Sequence, residues 1–328
     1  MKSGVFLISL DFELYWGIRD KTGIEDALKR MKNKDKAVNG ILQLFEKYDI
    51  HATWATAGFL FLDNYEELIK SFPEKLPSYK DKRFSPYEYI LRAKDEIKAN
   101  ENIHFAPNLI RRILNIKGQE IATHTFSHYY TLEEGQKNDE FREDLLTARK
   151  IAKNKFDLEL KSVVFPRNQY SEEHLKISGE LGFKAFRGNP LHWAYKPKKD
   201  EKGKLTSSRG YRLLNSYFPL NYNTYQVQYD GSGIVNLPSS VFLRPYSKKL
   251  RHFEYIKYIR IDKELKFAAK NNLVCHLWWH PHNFMVNMDE NLKFLEKILK
   301  KFNKYKKKYG MKSLNMNEAS ELIKRGVL

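Results

Sequence analysis

A single cysteine, Cys275, in a chain of 328 residues excludes any intramolecular disulfide. Its place inside the apolar run 273–277 marks a small buried thiol, the usage expected of a reducing, cytoplasmic compartment. Long apolar runs are also missing. The N-terminal stretch 5–10 is apolar, but Asp11 and Glu13 interrupt it before a secretory core could form. Nothing approaches the roughly 18–20 apolar residues that span a bilayer, so a soluble cytoplasmic protein is expected. Acidic residues are in deficit, 40 against 58 basic ones, for a formal charge of +18. The excess is spread along the chain. Its densest run, 300–308, interleaves lysines with Phe302 and Tyr305, as the wet face of an amphipathic helix does. That pattern argues against nucleic acid as the partner, while peripheral contact with an anionic membrane remains open.

What is present is enough apolar material, 42% of residues, for a large core. The run 5–10 reads as a strand that ends at Asp11. Val38, Ile41, Leu42 and Phe45 have helical spacing over 35–48, and the β-branched stretch 51–56 reads as a second strand. Strand, helix, strand is the parallel α/β unit. The rhythm resumes with a helix over 108–116, a strand over 120–123, a helix over 139–156 and a strand over 162–165. It continues with a helix over 172–181, a strand over 184–186, a strand over 234–237 and a helix over 255–270. A strand over 273–277 and a final helix over 291–309 complete it. Two stretches break the alternation, 63–107 and 190–230, and both read as surface insertions on one domain spanning 1–328. About seven strand-helix units predict a barrel-like parallel sheet with its chemistry at the carboxyl ends of the strands.

Four segments hold residues suited to catalysis. Asp11 and Glu13 lie two apart at a strand end, so both carboxylates face one side. Two close acids repel unless a cation sits beside them; on spacing alone either could be a ligand, or both could be solvated in a loop. His124 and His128, four apart, share a face whether the backbone is helical or extended, and two imidazoles with a carboxylate form a common catalytic zinc set. The alternative is a pair of strand-end histidines bonded to backbone. Arg167, in 165–170 with Tyr170, is a permanent cation suited to orienting a carboxylate, or a surface turn residue. The segment 275–283 places His276, His280 and His282 beside Trp278 and Trp279; histidine suits proton transfer near neutral pH, and tryptophan faces suit stacking on sugars.

In this order, Ser9-Leu10-Asp11-Phe12-Glu13, the strand 51–58, the histidine segment 118–128 and the late histidine with Pro281 resemble the polysaccharide deacetylases, carbohydrate esterases with a NodB homology domain. The resemblance covers most of the chain and belongs to a divergent branch, since Phe12 separates two acids that are usually adjacent. It implies a distorted (β/α)7-type barrel and a divalent metal, usually zinc, held by Glu13, His124 and His128. It further implies Asp11 as catalytic base, His280 as the late catalytic histidine and Arg167 as the arginine that steadies the base. Trp278, Trp279 and Tyr170 are then candidate substrate contacts. The expected reaction is metal-dependent removal of an N-acetyl group from an amino sugar in a polysaccharide or its precursor, with a nucleotide- or lipid-linked sugar as a cytoplasmic substrate. Hydrolysis of another non-peptide C–N bond or of a glycosidic bond, or a non-catalytic sugar- or polyanion-binding relative, are the competing expectations.

Overall fold

The computed structural model of the protein describes residues 3–197, 207–218, 220–227, 229 and 233–328. Its strands are β1 (Val5–Phe12), β2 (Ala52–Thr56), β3 (Gln119–Thr123), β4 (Ser162–Val163), β5 (Ala185–Phe186), β6 (Val235–Asn236), β7 (Val241–Phe242), β8 (Val274–Trp279) and β9 (Lys312–Leu314). The helices are α1 (Ile24–Met31), α2 (Lys34–Lys47), α3 (Tyr65–Lys70), α4 (Pro86–Arg92), α5 (Lys94–Ala99), α6 (Glu101–His104), α7 (Pro107–Leu114), α8 (Asn138–Phe156), α9 (Glu172–Glu180), α10 (Ser207–Tyr217), α11 (Glu254–Asn271), α12 (Met288–Tyr309) and α13 (Met316–Lys324).

Every ladder between these strands is parallel, and the sheet runs β6-β5-β4-β3-β2-β1-β8-β7, with β9 on the lower half of β1. The two ends of that path are neighbours in the chain. Leu237 N–H donates to Phe186 O and Ser239 N–H to Gly188 O, whereas Ser240 N–H donates to His276 O and Leu243 N–H to Trp278 O. The segment 235–243 thus leaves β5 and joins β8, bending at Pro238, and the sheet curls round as a distorted (β/α)7 barrel with β6 and β7 sharing one station.

Period-two alternation sorts the side chains. On β1, Phe6, Ile8, Leu10 and Phe12 face outward into the helix layer, while Val5 and Leu7 join an interior cluster with Ala55, Val164, Ala185, Val235, Leu237 and Val274. Met316, Ala319 and Ile323 of α13 belong to the same cluster and close its floor. Above the apolar floor the inward positions turn polar, with Ser9 and Asp11 on β1 and His276 on β8, all buried.

The stretch 63–107 is helical rather than irregular, and Tyr87, Ile90, Ile97 and Ile103 pack into the main core. Trp16 N–H donates to His104 O at 2.7 Å, and Tyr89 shares a 2.9 Å bond with the His104 ring, so this insertion is sewn to the turn after β1. Burial lowers His104 to about 4. The described part of 190–230 contributes α10. Among the described residues, no helix is long and apolar enough to cross a membrane.

Candidate metal and catalytic site

Where β1 ends, the chain turns sharply through a 3-10 helix over Leu14–Gly17, and Glu13 folds back over it. Gly17 makes the room: a Cβ there would lie 1.9 Å from Glu13 Cδ. Glu13, 4% exposed, points its carboxylate at the loop after β3. His124 continues the inward series of β3, and its backbone N–H bonds Thr56 O at 2.9 Å as a last rung of the sheet. The chain then bends: Thr125 and His128 take φ of 63° and 58°, left-handed values that favour glycine and that non-glycine residues keep only where their surroundings enforce them.

The enforcement comes from Asp144 on α8. Its carboxylate accepts Phe126 N–H at 2.6 Å, Ser127 N–H at 3.0 Å and the Ser127 hydroxyl. Thr125 Oγ1 accepts Tyr129 N–H at 2.6 Å. Burial raises Asp144 to about 6, against the pull of these donors.

Together these bonds bring three ligand atoms to one place. His128 Nε2 lies 2.8 Å and His124 Nε2 3.2 Å from Glu13 Oε2, and the three groups offer one ligand atom each within 4.8 Å of one another. The proton inventory shows what this arrangement is made for. His124 Nδ1 lies 2.8 Å from Val164 O, which can only accept, so Nδ1 carries a hydrogen and, in the neutral ring, Nε2 presents its lone pair. That lone pair faces a carboxylate oxygen. His128 Nδ1 has no hydrogen-bond partner, and burial, ahead of the opposing pull of Glu13, lowers this imidazole. Two imidazoles aimed with a carboxylate at one point are a donor set for a divalent cation. Burial opposes ionisation of Glu13, yet His280 and His128 outweigh it and hold the carboxylate well below its usual range.

Asp11 sits beside this cluster but faces another partner. Arg187 grips it with two bonds, Nη1 to Oδ1 at 2.6 Å and Nη2 to Oδ2 at 2.8 Å, and also donates to Ser9 Oγ at 3.1 Å and Asn168 Oδ1 at 2.9 Å. Burial would raise Asp11, but the Arg187 guanidinium overcomes it and holds the acid below the usual carboxylate range. His280 Nε2 lies 3.7 Å from Asp11 Oδ2 and 3.6 Å from Glu13 Oε1, and its side chain is 24% exposed, so it is the group of this set that meets solvent.

Three expectations change. Arg167 does not reach Asp11: the left-handed turn at 166–168 (φ 56° at Arg167) sends it across the Tyr130 ring, 3.9 Å from the centroid, to Asp20 and, at 3.6 Å, Glu133. The arginine that holds Asp11 is Arg187. It was legible in principle, because Ala185 faces inward and Arg187, two residues on at the end of β5, must do the same. Trp279 alternates outward, is fully buried, and packs against Phe45 and Phe284 with centroids 6.3 and 5.5 Å away. It is core, not a sugar platform. Tyr170 packs its ring between Phe165 and Phe186, and its hydroxyl accepts Asn189 N–H at 3.1 Å, so it supports the loop after β5.

Trp278 alternates inward. Its ring lies 4.2 Å from the Arg187 guanidinium and 5.6 Å from the His280 ring, at the mouth. His276 lies deeper, bonded to Ser9 Oγ at 2.8 Å and Leu237 O at 3.1 Å, and burial, ahead of the Arg187 charge, lowers it to about 3. It is a neutral strut.

Comparison with known proteins bears on the fold and the family. The sequence profile described as polysaccharide deacetylase matches residues 26–186, between the two ends of the chain that supply Asp11, Glu13, Arg187 and His280. No curated protein matches the sequence. Among solved structures, one from Mycobacterium smegmatis named as a polysaccharide deacetylase superposes at TM-score 0.59 and 12% identity, over 99% of this chain and 92% of its own. Another so named, from Pseudomonas aeruginosa PAO1, gives 0.55 at 9% identity, over 98% and 90%. The Puue allantoinase gives 0.52 at 10% identity, over 97% and 88%. At such identities the structures speak for the fold alone; the family rests on the matched profile, which identifies residues 26–186, just under half of the chain, as a divergent polysaccharide deacetylase domain.

Proposed function

We propose that the protein is a zinc-dependent deacetylase that hydrolyses the N-acetyl group of an amino sugar in a polysaccharide or its precursor. The observation that carries this reading is the convergence of Glu13, His124 and His128 on one point, next to an arginine-clamped Asp11 and a solvent-facing His280. A divalent cation held by the three ligands would supply Lewis acidity, polarising the acetyl carbonyl and acidifying water. The remaining work falls to side chains. Asp11, kept ionised by Arg187, accepts the proton of the attacking water. His280, between the two acids at the mouth, hands a proton to the nitrogen as the C–N bond breaks, releasing acetate and a free amine. Trp278 offers an inward aromatic face to the sugar. A cytoplasmic setting belongs to the same proposal and rests on the lone buried thiol of Cys275.

The test is acetate release from a panel of N-acetylated sugars with and without chelator, alongside zinc content of the purified protein. Stoichiometric zinc, loss of turnover with chelator and its return on adding zinc are expected. His124→Ala should abolish zinc uptake, and Asp11→Asn should keep zinc while turnover falls by about 100-fold or more. Zinc uptake untouched by His124→Ala would sink the site; a reducing sugar in place of acetate would sink the reaction.

A further inference from the structure

Next to the catalytic mouth lies a cavity of about 570 Å³. Trp278 and Phe242 form the partition, because both line the cavity and both rings also meet His280, at 5.6 and 5.8 Å. Asn168 lines it too, while its side-chain oxygen accepts from Arg187. A substrate whose acetamide reaches Asp11 and His280 would therefore lay its next group in this cavity.

The other walls are cationic. Arg209 and Arg212 come from α10, Arg244 from the residues after β7 and Arg260 from α11, with Lys21 and Lys196 also lining the space; among the described residues no aspartate or glutamate does. Arg260 has a carboxylate, Glu264, at 3.2 Å, and is 2% exposed, yet its Nε has no hydrogen-bond partner. Arg212 and Arg244 form no ion pair with any described residue, and Arg244 Nε is buried without a hydrogen-bond partner. Arg244 is half-buried, and burial lowers it; Arg212 stands exposed at the rim of the cavity.

Arg212 and Arg244 thus bring two guanidinium charges to one cavity wall with no carboxylate from a described residue between them, an arrangement that an anion seated there would offset. Hydroxyls of a neutral sugar bring no charge to do so. A single carboxylate would answer one arginine. Phosphate oxygens answer several at once, and the planar guanidinium fork suits them in bidentate fashion. We propose that this cavity is an anion subsite that seats a phosphate or diphosphate group carried by the N-acetylated substrate. The sugar end of this substrate rests on the deacetylase reading; the anion end rests on the arginines alone.

The experiment keeps the two apart. Pyrophosphate is titrated calorimetrically into the zinc-loaded protein and into zinc-loaded Arg212→Gln/Arg244→Gln, whose unchanged zinc content reports an intact fold and metal site. Binding at least about tenfold weaker in the double variant is expected, from the loss of charge-assisted bonds, with Arg212→Gln alone intermediate. Equal affinity in both proteins, or no binding to the native one, would overturn the subsite. In parallel, acetate release is compared for an uncharged N-acetylhexosamine glycoside, its soluble sugar phosphate and diphosphate, and the same sugar joined through diphosphate to an isoprenoid in phosphatidylcholine vesicles. A KM at least about tenfold lower for a phosphate-bearing substrate, with that preference collapsing in the double variant, supports the proposal. Whether the soluble or the lipid-linked form is preferred then identifies the source of the phosphate. Acetate release with the same KM for the uncharged glycoside and for the phosphate-bearing substrates would remove the subsite and leave the deacetylase standing. Pyrophosphate binding that depends on the arginines, with no acetate from any substrate, would do the reverse.

Discussion

Among the inward carboxylates of the barrel, Glu120 and Glu13 are treated in opposite ways. Glu120, low on β3, has a donor for each oxygen: Ser162 Oγ to Oε1 at 2.6 Å, and Thr53 Oγ1 at 2.7 Å and Asn317 N–H at 3.0 Å to Oε2. Burial nevertheless raises it. Glu13, high on the same wall, is met at Oε2 by two imidazole nitrogens, one of them on a ring whose Nδ1 hydrogen is committed to Val164 O. A carboxylate with a donor fixed on each oxygen is finished and serves the fold; one that converges with two imidazole nitrogens at a single oxygen is placed to share a cation with them. The difference teaches that burial alone does not mark a functional acid. What marks it is which groups are aimed at it.

The strongest way to sharpen this contrast is at Arg187, the donor that clamps both oxygens of Asp11 beside Glu13. Arg187→Lys keeps a charge but cannot span both oxygens of Asp11, so turnover should drop roughly 10–100-fold. The acid limb of kcat/KM should also move to higher pH, because Asp11 loses the partner that holds its carboxyl down. Arg167→Lys, whose partners are Asp20 and Glu133, should leave that limb where it is. If the two variants exchanged behaviour, the clamp would be misassigned. A smaller effect is expected one layer out. Asp144→Asn replaces one of the oxygens that hold Phe126 and Ser127 N–H with an amino group, which loosens the turn that aims His128. Zinc affinity, measured by competition with a chromophoric chelator, should weaken about 10–100-fold, and an unchanged affinity would show that the turn holds itself.

Much of this was legible in the sequence, and the rest failed for definable reasons. Apolar periodicity located α2, α8, α11 and α12 to within a few residues, because each buries one stripe against the sheet. The order of the motifs holding Asp11, Glu13, His124, His128 and His280 resembles that of the polysaccharide deacetylases, and that resemblance is what suggested a shared mouth. Alternation on β8 separates Trp278 from Trp279, and alternation on β5 selects Arg187; both followed from the strand rule, but the strand-end motif with Arg167 drew attention first. Asp144 gave no local signal, since a buried acid in a charged helix is visible only once α8 lies beside the 124–129 turn. α13 was missed as well. Its capping box, Asn315 with Glu318, is readable, but its role as a floor depends on a barrel that has to exist first.

That floor provides the gentlest test. Glu120→Gln keeps the shape of the side chain, and the Thr53 and Ser162 hydroxyls can turn to match an amide, so the loss at mildly acidic pH should stay within about 1 kcal/mol. Its pH dependence has a definite sign. Because burial raises Glu120 in the folded protein, the native state holds this proton more tightly than the unfolded chain does. Its favourable contribution is then fully present below the unfolded value and is lost as pH rises through the folded one. Relative to native protein, the glutamine variant should therefore gain stability between mildly acidic and neutral pH, read as converging urea midpoints. Zinc content and acetate release should not change, since no bond of Glu120 reaches the mouth. Zinc lost on changing Glu120 would mean that floor and mouth form one network, and the division between a satisfied carboxylate and a ligand would fail at its simplest point.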